Sequence, residues 1–193
     1  FQYKGAVVTS NTLATAAGEK ILAEGGNAYD AATTISAMLS VVEPFASGLG
    51  GGAFWLIYDA KSKKYKMLDA RETAPLQSHK NMYLDENENV IKNISTIGPL
   101  SAGIPGIPAV LSYVNDTYGS KKLSTLLTPA YKAAINGFPV NERYLKGANY
   151  KKEWLKKYKE TEAIFLDKGE VPKKGWILKQ TDLAKTIKKI MKD

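Results

Sequence analysis

The sequence predicts an α+β fold, rich in helix, with a small strand group early in the chain and helices after it. Runs of β-branched and aromatic residues fall within the first 70 residues, and helical periods dominate from about residue 107 onward. About three strands stand against five or six helices, and strands segregated from helices indicate α+β rather than alternating α/β. Three strands alone make an incomplete sheet, so sheet partners are expected to come from elsewhere. The 193 residues suffice for a sizeable core, and residues 1–193 read as a single domain without internal repeats.

In chain order, "GAVVTS" (residues 5–10) reads as a short β-branched strand. Asn11 or Ser10 can cap a helix whose apolar positions Leu13, Ala17 and Ile21 recur every fourth residue, and Gly25-Gly26 supplies a left-handed stop. Asn27 with Asp30 has the spacing of a capping box. The helix that follows, "AATTISAMLSVV", is apolar nearly all round and is expected to be buried; Glu43-Pro44 ends it. Residues 54–58 (FWLIY) are apolar on both faces, which predicts a strand covered from both sides. "DAKSKK" is a turn and "YKMLDA" the returning strand. Residues 77–96 read as an exposed connection. Helices are expected over 107–118, over "LSTLLTPAYKAAIN" with Gly137 and Pro139 closing it, and over "NYKKEWLKKYKE", where Tyr150, Trp154, Leu155 and Tyr158 would share one face and lysines the other. The last helix, "QTDLAKTIKKIMKD", takes Thr181 as its cap and ends in lysines, as the helix dipole favours.

Composition excludes several function classes. Hydrophobic residues make up 44% and charged residues 24%, ordinary for a globular chain. No apolar run approaches the about 18 residues of a membrane span. The chain starts at Phe1 rather than at methionine, so the natural N-terminus is expected to have been removed, and the lack of a signal segment decides nothing about compartment. With no cysteine, disulfides, thiolate catalysis and zinc–sulfur sites are excluded. With His79 as the single histidine, a multi-histidine metal site is excluded too, and no cofactor or metal is expected. The net charge of +8 is almost wholly lysine. Arginine, which reads guanine and phosphate through paired donors, is nearly absent, so nucleic acid is not an expected partner. A charge-driven binder of anionic surfaces is a further class, and it predicts heparin retention that falls steeply with salt and is insensitive to mutation at Arg71.

The chemistry-bearing candidates are few. Gly48-Leu49-Gly50-Gly51-Gly52-Ala53 fits the dinucleotide pattern G-x-G-x-x-A, but a helix precedes it and a strand follows, the reverse of what phosphate binding needs. Close backbone packing is the better use of these glycines. His79 lies in a polar connection, no serine sits in a G-x-S-x-G elbow, and Asp85, Glu86 and Glu88 have no apolar setting to raise a carboxyl pKa. Phe1 cannot serve as an N-terminal nucleophile. That leaves Arg71, one of only two arginines with Arg143, at the exit of the returning strand. Its planar fork of donors suits a carboxylate. The competing use is an ion pair with Asp69 or Glu72.

Four blocks carry a resemblance. The run from "GGNAYDAATTISAMLSVVEPFASGLGGGAFWLIYDA" through "KSKKYKMLDARETAP", then "AGIPGIPAVLSYVNDTYG", "LLTPAYKAAINGFPVNER" and "QTDLAKTIKKI", resemble in this order the large-subunit segment of γ-glutamyltranspeptidases. The resemblance covers nearly the whole chain. It implies part of the N-terminal-nucleophile hydrolase fold, an αββα sandwich here lacking the small-subunit strands. It also implies a precursor that cleaves itself and a threonine nucleophile at the start of the small subunit, which would be the chain's partner. The reaction implied is hydrolysis or transfer of γ-glutamyl groups of glutathione-like substrates through an acyl-enzyme. Arg71, in "DARETAP", would hold the α-carboxylate of the γ-glutamyl group, with Glu72 beside it. The chain ends at Asp193, before the cleavage junction, so no catalytic residue is expected in it and the chain alone is expected to be inactive. Related acylases of the same fold, of the cephalosporin acylase or poly-γ-glutamate depolymerase type, are the runner-up, followed by a non-catalytic interaction module. Extracellular or periplasmic placement follows from the resemblance alone. An uncovered sheet edge and apolar face make self-association an expectation.

Overall fold

The computed structural model describes residues 5–192. By compactness the chain divides into two units, Leu49–Val110 and the segments that flank it, up to Gly48 and from Leu111.

The flanking segments form the helical unit. Residues 5–10 join no strand, so the expected strand is absent; β-branched residues favour extension, yet a strand exists only with a partner ladder. Helix α1 (Thr12–Ala23) is capped by Asn11, whose side chain accepts from Leu13 N–H. It ends as expected at Gly25, with φ +83°. Helix α2 (Ala28–Val42) opens on the complete capping box of Asn27 and Asp30. It buries Asp30, Ala31, Thr33, Thr34, Ala37, Met38, Ser40, Val41 and Val42, while Ala32, Ile35, Ser36 and Leu39 form one half-buried stripe, so the helix is buried round most of its circumference rather than all of it.

The middle unit is built on a hairpin. Strand β1 (Ala53–Asp59) pairs antiparallel with β2 (Lys64–Ala70), in a register that sets Ala53 against Ala70, Trp55 against Leu68 and Ile57 against Lys66. Trp55, Ile57, Leu68 and Ala70 lie on the covered face. The other face is bare: Phe54, Leu56 and Met67 are each more than 60% exposed. The expectation of a strand covered on both sides therefore fails on this face, because period-2 alternation puts Phe54, Leu56 and Tyr58 on the side that no other described element covers. Residues 77–96 are a chain of turns, as expected, and Pro99–Ser101 is one 3-10 turn.

Helix α3 (Ile107–Tyr118) follows. Helix α4 (Leu123–Asn136) stops at Gly137, whose φ of +88° is the left-handed conformation that glycine tolerates. Strand β3 (Phe138–Pro139) and helices α5 (Glu142–Lys156) and α6 (Lys159–Phe165) come next. Strand β4 (Ile177–Leu178) pairs with β3, and α7 (Thr181–Ile190) closes the chain. Gln180, not Thr181, occupies the cap position of α7 and makes no side-chain cap bond there. Its amide instead donates to Val41 O at 2.8 Å from a buried position, a longer-range partner outcompeting a local one.

In this unit α2 packs on α1 and α4, and α4 on α7. Leu111, Leu126, Leu127, Leu178 and Ile187 are all under 2% exposed. Each such side chain contributes about 1.5–3 kcal/mol by leaving water. The aromatic face expected over 150–158 is split, with Tyr158 beyond the end of α5 and Leu155 half-buried. The helix breaks at Lys157, and Tyr150, Trp154 and Tyr158 stand in solvent while Tyr144 and Ala148 face inward.

Candidate functional site

Arg71 is the first residue beyond β2. Its backbone N–H donates to Asp69 Oδ1 at 2.9 Å, a turn that lifts the chain off the ladder. Two residues on, Thr73 and Ile104 exchange backbone hydrogen bonds at 3.2 and 2.8 Å. Gly106 and Ile107 both donate to Gly51 O at 3.1 Å. The dipeptide Arg71-Glu72 is thus gripped between the glycine-rich approach to β1 and residues 103–106.

Glycines make that grip. A Cβ on Gly106 would sit 2.0 Å from Ala70 O, and one on Gly52 would sit 2.6 Å from Glu72 Oε2 and 2.8 Å from Arg71 Cα. Neither distance is sterically admissible, so these positions exist for close backbone approach. Packing accounts for Gly52 as the sequence suggested. It does not account for Gly50, where a Cβ would meet nothing within 4 Å.

The electrostatics centre on one loose pair. Arg71 Nη1 lies 3.5 Å from Glu72 Oε2, beyond good hydrogen-bonding distance, and Glu72 Oε2 is buried without a hydrogen-bond partner. The Arg71 side chain is 62% exposed. Of the two carboxylates expected to compete for its guanidinium, Asp69 takes the backbone N–H, and Glu72 holds the charge only at arm's length. The rest of the donor fork faces solvent, and a carboxylate approaching it would meet an anchored cation with donors to spare.

The weaker candidates stay where the sequence put them. His79 is exposed in a turn and offers its backbone carbonyl to Met82. Asp85 is exposed and accepts from the N–H groups of Asn89 and Asn87; the Asn89 bond first, then that of Asn87, hold its carboxyl below the ordinary range despite an opposing desolvation. A carboxylate kept ionised in this way is a turn-former rather than a proton donor. Among the described residues, no three acidic or histidine side chains cluster so as to hold a metal.

Two features went unread in the sequence. Gly103 and Gly106, in "SAGIPGIP", form one wall of the Arg71-Glu72 site, and the signal was their spacing between prolines. The second arginine, Arg143, pairs at 3.2 Å with Glu43, a carboxylate only 2% exposed, and also donates to Ser10 O at 3.0 Å. No local pattern announces a contact between residues a hundred positions apart.

The sequence model described as Gamma-glutamyltranspeptidase matches residues 14–193. The chain belongs to the γ-glutamyltranspeptidase family. It is 39% identical over 189 residues to the glutathione hydrolase proenzyme of Bacillus subtilis (strain 168), covering 96% of this chain and 32% of that protein. It superposes on the γ-glutamyltranspeptidase of Helicobacter pylori with a TM-score of 0.93 at 40% identity, covering 97% of this chain and 54% of that one. It also matches the cephalosporin acylase of Bacillus halodurans with a TM-score of 0.81 at 25% identity, over 100% of this chain and 38% of that one. The chain spans about a third of the length of the curated relatives it matches. The family likeness and the N-terminal-nucleophile hydrolase fold are therefore shown, and the match lies in the N-terminal, large-subunit part of these proteins.

Proposed function

We propose that this chain supplies the carboxylate-binding part of an enzyme that hydrolyses or transfers γ-glutamyl groups of glutathione-like substrates. Arg71 receives the substrate α-carboxylate, and the nucleophilic threonine belongs to the small subunit of the same precursor. One observation carries this reading: an exposed guanidinium, mostly unengaged, on a backbone clamped by glycines at Gly52 and Gly106. A fork carried on a fixed backbone starts each encounter from one place, and binding of the carboxylate orients the glutamyl group for acyl transfer at the far γ-amide. Glu72 restrains the guanidinium without saturating it.

The acylase alternative draws on the likeness to the cephalosporin acylase, at lower identity than the likeness to the H. pylori transpeptidase. A substrate with a free α-carboxylate beside the scissile γ-amide favours the first reading. Incubating the purified chain with a γ-glutamyl anilide is expected to give no more product than its Arg71→Ala variant. Turnover above that control would place a nucleophile within these residues and overturn the division of labour proposed. Saturable binding of glutathione, lost in Arg71→Ala, is expected in the same samples.

A further inference from the structure

Helix α5 turns the wrong side to solvent for an ordinary surface helix. Tyr144 and Ala148 define its inward side, both under 6% exposed. At about 100° per residue, Lys146, Tyr150, Trp154 and Lys157 line one outward stripe, which also carries Glu153, while Lys151 sits beside Tyr150 further round the helix and Arg143 turns in towards Glu43. Tyr150 is 82% exposed, and Trp154 and Tyr158 about 40%. Ammonium groups lie over these rings: Lys151 Nζ is 5.1 Å from the Tyr150 centroid, and Lys157 Nζ is 6.0 and 5.8 Å from those of Trp154 and Tyr158. Between Arg143 and Lys159 the sequence holds seven basic residues and one acidic residue, Glu153. Arg143 is paired with Glu43, and Lys152 and Lys156 share Glu170. Lys146, Lys151, Lys157 and Lys159 have no carboxylate within ion-pair distance among the described residues.

We propose that this aromatic and lysine stripe docks the helical unit on the surface of an anionic phospholipid bilayer. Indole and phenol rings have an apolar body and a polar edge, the combination that settles in a headgroup layer. Lysines around them supply attraction to a diffuse negative surface, which needs charge rather than a bidentate fork. The stripe lies on the outward side of a helix, and lysines already cover the ring faces on which nucleic-acid bases would stack, so charge and shape favour a bilayer over a single strand. No described helix is long and apolar enough to cross a membrane, and the contact is one of lying on the surface. This surface is independent of the Arg71 reading.

The test is co-sedimentation of the chain with vesicles of phosphatidylcholine alone and with about one-third phosphatidylglycerol, with tryptophan emission read in parallel. Binding is expected only to the anionic vesicles, weakening with salt, with a blue shift that Trp154→Phe removes. Each lysine near the surface is worth about fivefold in partitioning, so Lys151→Glu/Lys157→Glu should lower it at least about 25-fold. Lys188→Glu/Lys189→Glu on α7 makes the same change in net charge without touching aromatic residues, and should cost far less. Failure to bind anionic vesicles, equal losses from both charge reversals, or an oligothymidylate that outcompetes the vesicles would each overturn the proposal. The charge-reversal pair is at exposed positions and keeps the test open should Trp154→Phe not fold.

Discussion

Asp30 offers the sharpest energetic test of how the helical unit is tied together. It is fully buried and accepts four hydrogen bonds: Oδ2 takes Asn27 N–H at 2.8 Å and Ser120 Oγ–H at 2.5 Å, and Oδ1 takes the N–H groups of Ser120 and Lys121 at 3.0 and 3.3 Å. One carboxylate thereby closes the capping box of α2 and pins the loop between α3 and α4. Asp30→Asn keeps the shape but puts an NH2 group where one oxygen stood. With Oδ1 kept on the loop amides, Asn27 N–H then faces a donor and is orphaned, at about 1–3 kcal/mol. Loss of a negative charge at a helix N-terminus adds about 0.3–1 kcal/mol. A loss of about 1–4 kcal/mol is expected in urea unfolding at neutral pH. The pH dependence has a definite sign. Burial pushes this carboxyl up, but the Ser120 hydroxyl and the backbone bonds outweigh it, and the folded pKa is lowered. The contribution is therefore complete above the unfolded value near 3.9 and disappears as pH falls through the folded value. The gap between the wild-type and Asp30→Asn curves should be flat above about pH 5 and close below about pH 4. A cost under about 0.5 kcal/mol, or a gap that widens in acid, would refute the reasoning.

Other outcomes follow from the same contacts. Gly106→Ala forces a Cβ to within 2.0 Å of Ala70 O and should cost about 3 kcal/mol or more, whereas Gly50→Ala meets nothing and should stay within about 0.5 kcal/mol; calorimetric melting separates them. Arg143→Met strands the Glu43 carboxylate, left among the described residues with the Asn11 amide at 3.4 Å. Because the guanidinium is half-exposed, the expected loss is about 2–4 kcal/mol, below the full value for a buried pair. Adding Glu43→Gln should restore part of it in the same chemical denaturation assay, and no restoration would show that the pair is not the source of the cost.

Much of the helical unit was legible because its signals are local. Asn11, the Asn27–Asp30 box, Gly25 and Gly137 set helix ends through groups a few residues apart, and the structure keeps every one. What failed depends on distant partners. Residues 5–10 have strand chemistry but no ladder to join, and Phe54, Leu56 and Tyr58 have core chemistry but nothing described to cover them. Tyr150, Trp154 and Tyr158 share a helical spacing, yet periodicity names a face without saying which way it points; Tyr144 and Ala148 decided that. Gln180 displaced Thr181 as the cap for a similar reason, since its amide reaches Val41 across the unit. At the candidate site, the rarity of arginine singled out Arg71. Its clamp was hidden, because Gly52 and Gly106 meet residues 70–72 only after the hairpin closes.

The central claim is that the Arg71 fork binds the α-carboxylate of a γ-glutamyl compound. The most direct measurement titrates nitrogen-15-labelled chain with glutathione and with its glutamyl α-amide, following the amide signals of Gly52, Arg71, Glu72 and Gly106. The account predicts saturable shifts at these four amides with the free acid, none with the α-amide, and none with acid in Arg71→Met. Equal response to acid and amide, or an Arg71→Met chain that binds as the wild type does, would contradict it.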